Sequence, residues 1–128
     1  MASDVRMKKL TPVLIVDAIE PCLSFWTEQL GFEKTVEVPE GSALGFVILT
    51  KDDVEIMYQS RASVRKDIPS LAELPWSSTL YIEVAELDPV IGQLEGAEIV
   101  VSRRKTSYGA DEIFVREPGG NIIGFAAH

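Results

Sequence analysis

The order of secondary-structure signals in this sequence runs twice, and that repetition limits the folds open to it. "LTPVLIVD" (10–17) is a short apolar run rich in β-branched residues, which reads as a strand. "IEPCLSFWTEQLG" (19–31) changes period: Ile19, Cys22, Leu23, Trp26 and Leu30 fall on one stripe of an amphipathic helix. Pro21 suits its first turn, and Gly31 can supply the left-handed residue that ends it. "EKTVEV" (33–38), "ALGFVILT" (43–50) and "VEIMYQS" (54–60) follow as strands, with Pro39-Glu40-Gly41 and Lys51-Asp52-Asp53 as turns. The series then restarts. "STLYIEV" (78–84) is a strand, and "LDPVIGQLEG" (87–96) is a short helix with Asp88 as cap and Pro89 at its first position. "AEIVVSR" (97–103), "EIFVRE" (112–117) and "NIIGFAA" (121–127) complete the second set of strands.

The two halves keep step. Pro12 and Thr79 are offset by 67 positions, Leu30 and Leu94 by 64, Glu55 and Gly124 by 69. Neither half can bury a sheet face alone, so the pattern predicts an α+β fold: two βαβββ modules in tandem, forming curved mixed sheets around a concave cleft. The 128 residues fit one domain, with module one at about 10–60, a linker at about 61–77 and module two at about 78–127. The linker "RASVRKDIPSLAELPWSS" has two prolines, mixed charge and no sustained period, as expected of chain running over a surface.

Twelve basic and 20 acidic side chains give a formal net charge of −8. A field of that sign disfavours nucleic acid and anionic membrane and favours cationic partners. The first apolar run, Val13 to Val16, is closed by Asp17 and is too short for a signal-peptide core or a membrane helix. The single cysteine, Cys22, cannot form an internal disulfide, which fits a cytoplasmic location; on the helix stripe it reads as a small buried hydrophobe. The one histidine is His128, so an interior multi-histidine metal site or Ser-His-Asp triad is hard to build.

Two segments resemble the vicinal oxygen chelate superfamily, which contains glyoxalase, bleomycin-resistance proteins and extradiol dioxygenases. "TPVLIVDAIEPCLSFWTEQLGFE" is similar to the family's opening strand and helix, and "FVREPGGNIIGF" to its closing strand, Asp/Glu-Pro-x-Gly-Asn turn and strand. The family's metal is held from the first and last strand of each module. Those places correspond here to Pro12, Glu55, Thr79 and Gly124, of which only Glu55 is a strong donor. About three protein ligands are usually needed for a catalytic divalent ion, so the reading expects no metal and no cofactor. This departure is similar to the bleomycin-resistance branch, which sequesters a drug in clefts formed between two identical chains; the resemblance therefore implies a homodimer.

Strand alternation sends Met57 and Gln59 to the same side as Glu55, with Val54, Ile56 and Tyr58 opposite. By the same count Thr79 brings Tyr81 and Glu83, and Gly124 brings Ile122 and Ala126. Trp76 and Tyr108 lie on loops that can reach the mouth. The candidate ligand-binding residues are thus Glu55, Met57, Gln59, Trp76, Thr79, Tyr81, Tyr108 and Gly124, lining a cavity for a flat or greasy organic ligand with a positive end. Gly124 leaves room for ligand to approach the backbone. Duller roles exist for each: Met57 and Tyr81 can simply fill the metal's space, Trp76 can pack the linker, and Trp26 is core. "SRRKTS" (102–107) reads as a solvated strand edge, with gripping of an anionic substrate as the other role. The function expected is metal-independent binding of a small organic molecule, drug sequestration included. The alternative is a lyase, isomerase or dioxygenase of the same superfamily, with Glu55 as its base.

Overall fold

A computed structural model describes residues 9–73, 75 and 78–128. The first module contains strands β1 (Val13–Val16), β2 (Glu33–Glu40), β3 (Ala43–Lys51) and β4 (Val54–Ser60), and the second β5 (Thr79–Glu83), β6 (Glu98–Lys105), β7 (Asp111–Arg116) and β8 (Ile122–Ala127). They form two four-stranded mixed sheets, ordered β1-β4-β3-β2 and β5-β8-β7-β6. In each, the first strand runs parallel to the last and the remaining pairs are antiparallel. The tandem α+β arrangement expected from the repeat is the one observed.

Helix α1 (Glu20–Ser24) carries Pro21 in its first turn and continues as a π turn over Phe25–Gln29. The π turn shifts the stripe so that Phe25 is buried beside Cys22, Trp26 and Leu30. Gly31 has φ of 77° and reverses the chain into β2. Inward residues of both sheets, including Leu14, Leu49, Ile56, Ile113, Val115, Ile123 and Phe125, join this stripe in one buried cluster. Trp26 is indeed core, its ring edge-on to Phe25 and Phe32.

Two expectations are corrected. The stretch 61–77 is not merely a surface linker: α2 (Arg61–Asp67) and α3 (Pro69–Ala72) form within it. The Ser60 hydroxyl caps α2 by accepting the Ser63 amide at 3.2 Å, and Val64 and Ala72 are buried against Ile15. Sustained period is absent because each helix makes only one or two turns. In the second module, α4 (Leu87–Gln93) is capped at Glu86 without a side-chain bond; Asp88 turns away to Arg103 at 2.6 Å, and Pro89 stands inside the first turn.

The closing turn ties the modules together. Glu117 is 2% exposed; it accepts the Asn121 amide from its own turn and the hydroxyl of Tyr58, on β4 of the other module. Tyr58 in turn accepts Trp26 Nε1–H at 2.8 Å. Burial, reinforced by the Glu117 charge, pushes the Tyr58 hydroxyl far above its ordinary pKa, and pushes the neighbouring Cys22 thiol up to about 12. Gly119 is forced by this closeness: a Cβ there would lie 2.7 Å from Val16 Cγ1 and 2.9 Å from Cys22 Sγ.

Candidate functional site

The faces of the sheets opposite the core stay open, and a cleft of about 400 Å³ runs where the residues before β1 and the start of β4 in one module meet β5 of the other. Pro12 and Glu55 line it from the first module; Thr79, Tyr81 and Glu83 line it from the second. Three of the expected site residues, Glu55, Thr79 and Tyr81, therefore meet in one cavity. The chain's duplication brings them together: Glu55 comes from β4, an inner strand of the first sheet, and Thr79 and Tyr81 from β5, an edge strand of the second.

Glu55 is half-buried. Its Oε1 accepts the Lys9 ammonium at 2.8 Å and the Thr11 hydroxyl at 3.0 Å, and these contacts, Lys9 first, hold its carboxyl below the usual range. Tyr81 is 48% exposed and donates its hydroxyl to Glu112 Oε1 at 2.6 Å; that bond, above all, pushes its pKa up to about 12. Glu112 itself is inaccessible to solvent, although it sits just beneath exposed side chains. It also accepts Arg104 at 2.9 and 2.8 Å and, more distantly, Tyr108 at 3.4 Å. These donors, led by Tyr81, keep its carboxyl ionised below the ordinary value of 4.5. Tyr108, 69% exposed, thus reaches the site by way of Glu112.

The remaining expected residues stand elsewhere. Met57 and Gln59 continue the open face along β4, outside the lining of the cleft, and Gln59 spends its amide on the Ser63 hydroxyl at 3.1 Å. Gly124 pairs with Tyr81 across the β5–β8 ladder, but it leaves no room for ligand: the Phe114 ring lies over it, and a Cβ there would sit 2.4 Å from Phe114 Cε2. Phe114 and Tyr81 stack at a tilt, centroids 6.0 Å apart, and extend the aromatic wall. Trp76 lies outside the described residues. Of "SRRKTS", Ser102 to Lys105 end the edge strand β6 and Thr106 and Ser107 lie beyond it; Arg103 is held by Asp88 and Asp111, yet Arg104 turns onto Glu112.

The donor set does not suit the divalent metal that the resemblance implies. Pro12 has no side-chain donor, Gly124 is covered by Phe114, Thr79 offers one neutral oxygen, and Glu55 is already engaged by Lys9 and Thr11. Among the described residues, no three of His, Cys, Asp and Glu gather in a way that could hold a metal ion.

Glu112, Phe114, Arg104 and the Tyr58–Glu117 pair were not singled out from the sequence. Alternation along "DEIFVR" carries the signal for the first two: Glu112 and Phe114 share a face, paired with Ala126 and Gly124 on β8.

Comparison with known proteins agrees with this architecture. The fold matches a glyoxalase/bleomycin resistance protein/dioxygenase from Nocardioides with a TM-score of 0.75 at 21% identity, covering 96% of this chain and 85% of that one. It matches the bleomycin-binding protein of bleomycin-producing Streptomyces verticillus, solved with copper(II)-bleomycin, at 0.66 and 21%, covering 97% and 98%. It matches a lactoylglutathione lyase from Agrobacterium tumefaciens at 0.74 and 14%, covering 96% and 95%. No curated protein matches the sequence. The model of the Glyoxalase/Bleomycin resistance protein/Dioxygenase superfamily matches residues 9–125, nearly the whole chain. The chain belongs to that superfamily.

Proposed function

We propose that this protein binds a small organic molecule in the cleft between its modules without using a metal, in the manner of a drug-sequestering protein. One observation carries the reading: β4 and β5 bring an engaged carboxylate, a hydroxyl and the Tyr81 ring into a cavity of ligand size, while the family's ligand places hold no adequate donor set. The bleomycin bound to the Streptomyces protein of the same fold supports a drug-like ligand, as does the chain's net charge of −8 toward a cationic one. The lone buried thiol suits a reducing cytoplasm.

We infer also that two copies pair through the open sheet faces. Val13, Val36 and Val38 are each 40–47% exposed and share that side of the first sheet with half-buried Phe46, Ile48 and Met57. Such an apolar surface gains by being covered. Sedimentation at micromolar protein is expected to return twice the mass of 14.1 kDa.

Calorimetric titration with a cationic glycopeptide of the bleomycin type, metal-free and copper-loaded, tests the ligand. Saturable binding supports sequestration, and none at high micromolar drug rejects that drug. Elemental analysis tests metal independence: stoichiometric nickel, zinc, iron or manganese surviving dialysis would overturn it.

A further inference from the structure

We propose that Glu112 is a positioning residue that turns the second module's wall of the cleft into a hydrogen-bond acceptor, so that the cleft selects planar ligands bearing an N–H-donating cation, such as an amidine. The inference deepens the binding reading and rests on it. A phenol has one hydrogen, and an ionised carboxylate can only accept. With Tyr81 and Glu112 2.6 Å apart, that hydrogen must point at Glu112. On its exposed side the Tyr81 oxygen then shows lone pairs alone. Tyr108 faces Glu112 in the same sense at 3.4 Å. The counter-charge that keeps Glu112 ionised comes from Arg104, which is not among the residues lining the cleft, so its donors do not reverse the polarity there.

The opposite wall presents a second carboxylate, whose charge Lys9 balances until a ligand's cation takes its place. Glu55 accepts from Lys9 and Thr11, and the Lys9 ammonium, 59% exposed and 2.8 Å from Glu55, is a cation of the chain itself seated where a ligand's cation would go. The ring of Tyr81, tilted against Phe114, supplies the surface on which a planar group stacks. A ligand matching both features carries donors on an aromatic plane. A carboxylate on the same ring meets acceptors and is rejected, which is discrimination by unpaired and repelled groups.

Calorimetric titration with 2-naphthamidine, 2-naphthamide and 2-naphthoate isolates this polarity on one ring system. The amidine is expected to bind about tenfold or more tighter than the amide, through charge-assisted bonds, and the naphthoate weakest. Tyr81→Phe keeps the ring and removes the acceptor, so the amidine-to-amide ratio should fall several-fold with the amide little changed. In Glu112→Gln the amide oxygen stays on Arg104 and the N–H2 turns to Tyr81, which frees the Tyr81 hydrogen to point away, so naphthoate should gain while amidine loses, a reversal that simple loosening of the sheet would not produce. Equal affinity of the three probes for the unaltered protein would overturn the proposal and leave the binding reading standing. An unchanged ratio in Tyr81→Phe would do the same, even if Glu112→Gln proves unstable. If none of the three binds at millimolar concentration this inference falls, and saturable binding of the glycopeptide would still leave the binding reading standing.

Discussion

The link between the modules can be broken with one atom. Tyr58→Phe removes the hydroxyl that accepts Trp26 Nε1–H at 2.8 Å and donates to Glu117, in a place where Trp26 and Tyr58 are wholly buried and Glu117 nearly so. A bond to a charged partner contributes about 1.5–3 kcal/mol and a neutral one about 1 kcal/mol, and here both losses strand buried groups with no water to replace the partner. Asn121 still holds the other carboxylate oxygen, which limits the damage. A destabilisation of about 3 kcal/mol follows. At about 2.1 cal/mol/K per residue, unfolding of 128 residues carries roughly 0.27 kcal/mol/K, so the midpoint should fall by about 11 °C. Differential scanning calorimetry reads this directly, and Trp26→Phe in the Tyr58→Phe background should add less than it does alone, because the bond it removes is already gone. A fall of only about 2 °C, or full additivity of the pair, would refute the claim that these groups act as one buried chain.

Three further outcomes follow from the same geometry. Gly124→Ala places a Cβ 2.4 Å from Phe114 and should cost about 1–3 kcal/mol in the denaturant midpoint, with Phe114→Leu restoring part of it in the double variant. Glu112 has its carboxyl pKa held below 4.5, so the unfolded chain takes up that proton first; its contribution is complete above 4.5 and drains as pH falls through the folded value. Thermal midpoints measured from about pH 6 to about pH 3 should therefore fall less steeply for Glu112→Gln than for the unaltered protein. Cys22 is buried with its thiol pushed up to about 12, so iodoacetamide at neutral pH should leave the folded protein unmodified and label it only in denaturant, as mass spectrometry will show.

The fold was legible because its signals are periodic. The stripe of Ile19, Cys22, Trp26 and Leu30 and the alternation of "VEIMYQS" each exceed local noise, and the repeat supplies a second copy of every element. Helices α2 and α3 were not legible, since elements of seven and four residues leave too few turns for a period to show. In the candidate site, alternation put Thr79 and Tyr81 on one side of β5, and they line one cleft with Glu55. It could not show that Phe114 lies over Gly124, that Gln59 bonds Ser63, or that Glu112 is the hub for Tyr81, Tyr108 and Arg104. Those facts depend on side-chain reach across neighbouring strands, which sequence spacing within one strand does not encode.

The Glu-Pro-Gly-Gly-Asn turn stands in this chain although the strand after it presents Gly124 where the family places a metal ligand. Its anchorage accounts for this. Glu117 is gripped by Tyr58 and its own turn, and Gly119 is pressed onto Val16 and Cys22 of the first module, so the turn is held from the core side of the sheet. Gly124, on the opposite face of β8 beneath Phe114, takes no part in that grip. The scaffold can therefore keep its hairpin and its module pairing whatever the open face carries, and Phe114 covers the glycine there. The module link resides on the core side of the sheet and the proposed recognition on the other, a division that would let one architecture lack metal donors without losing its cavity.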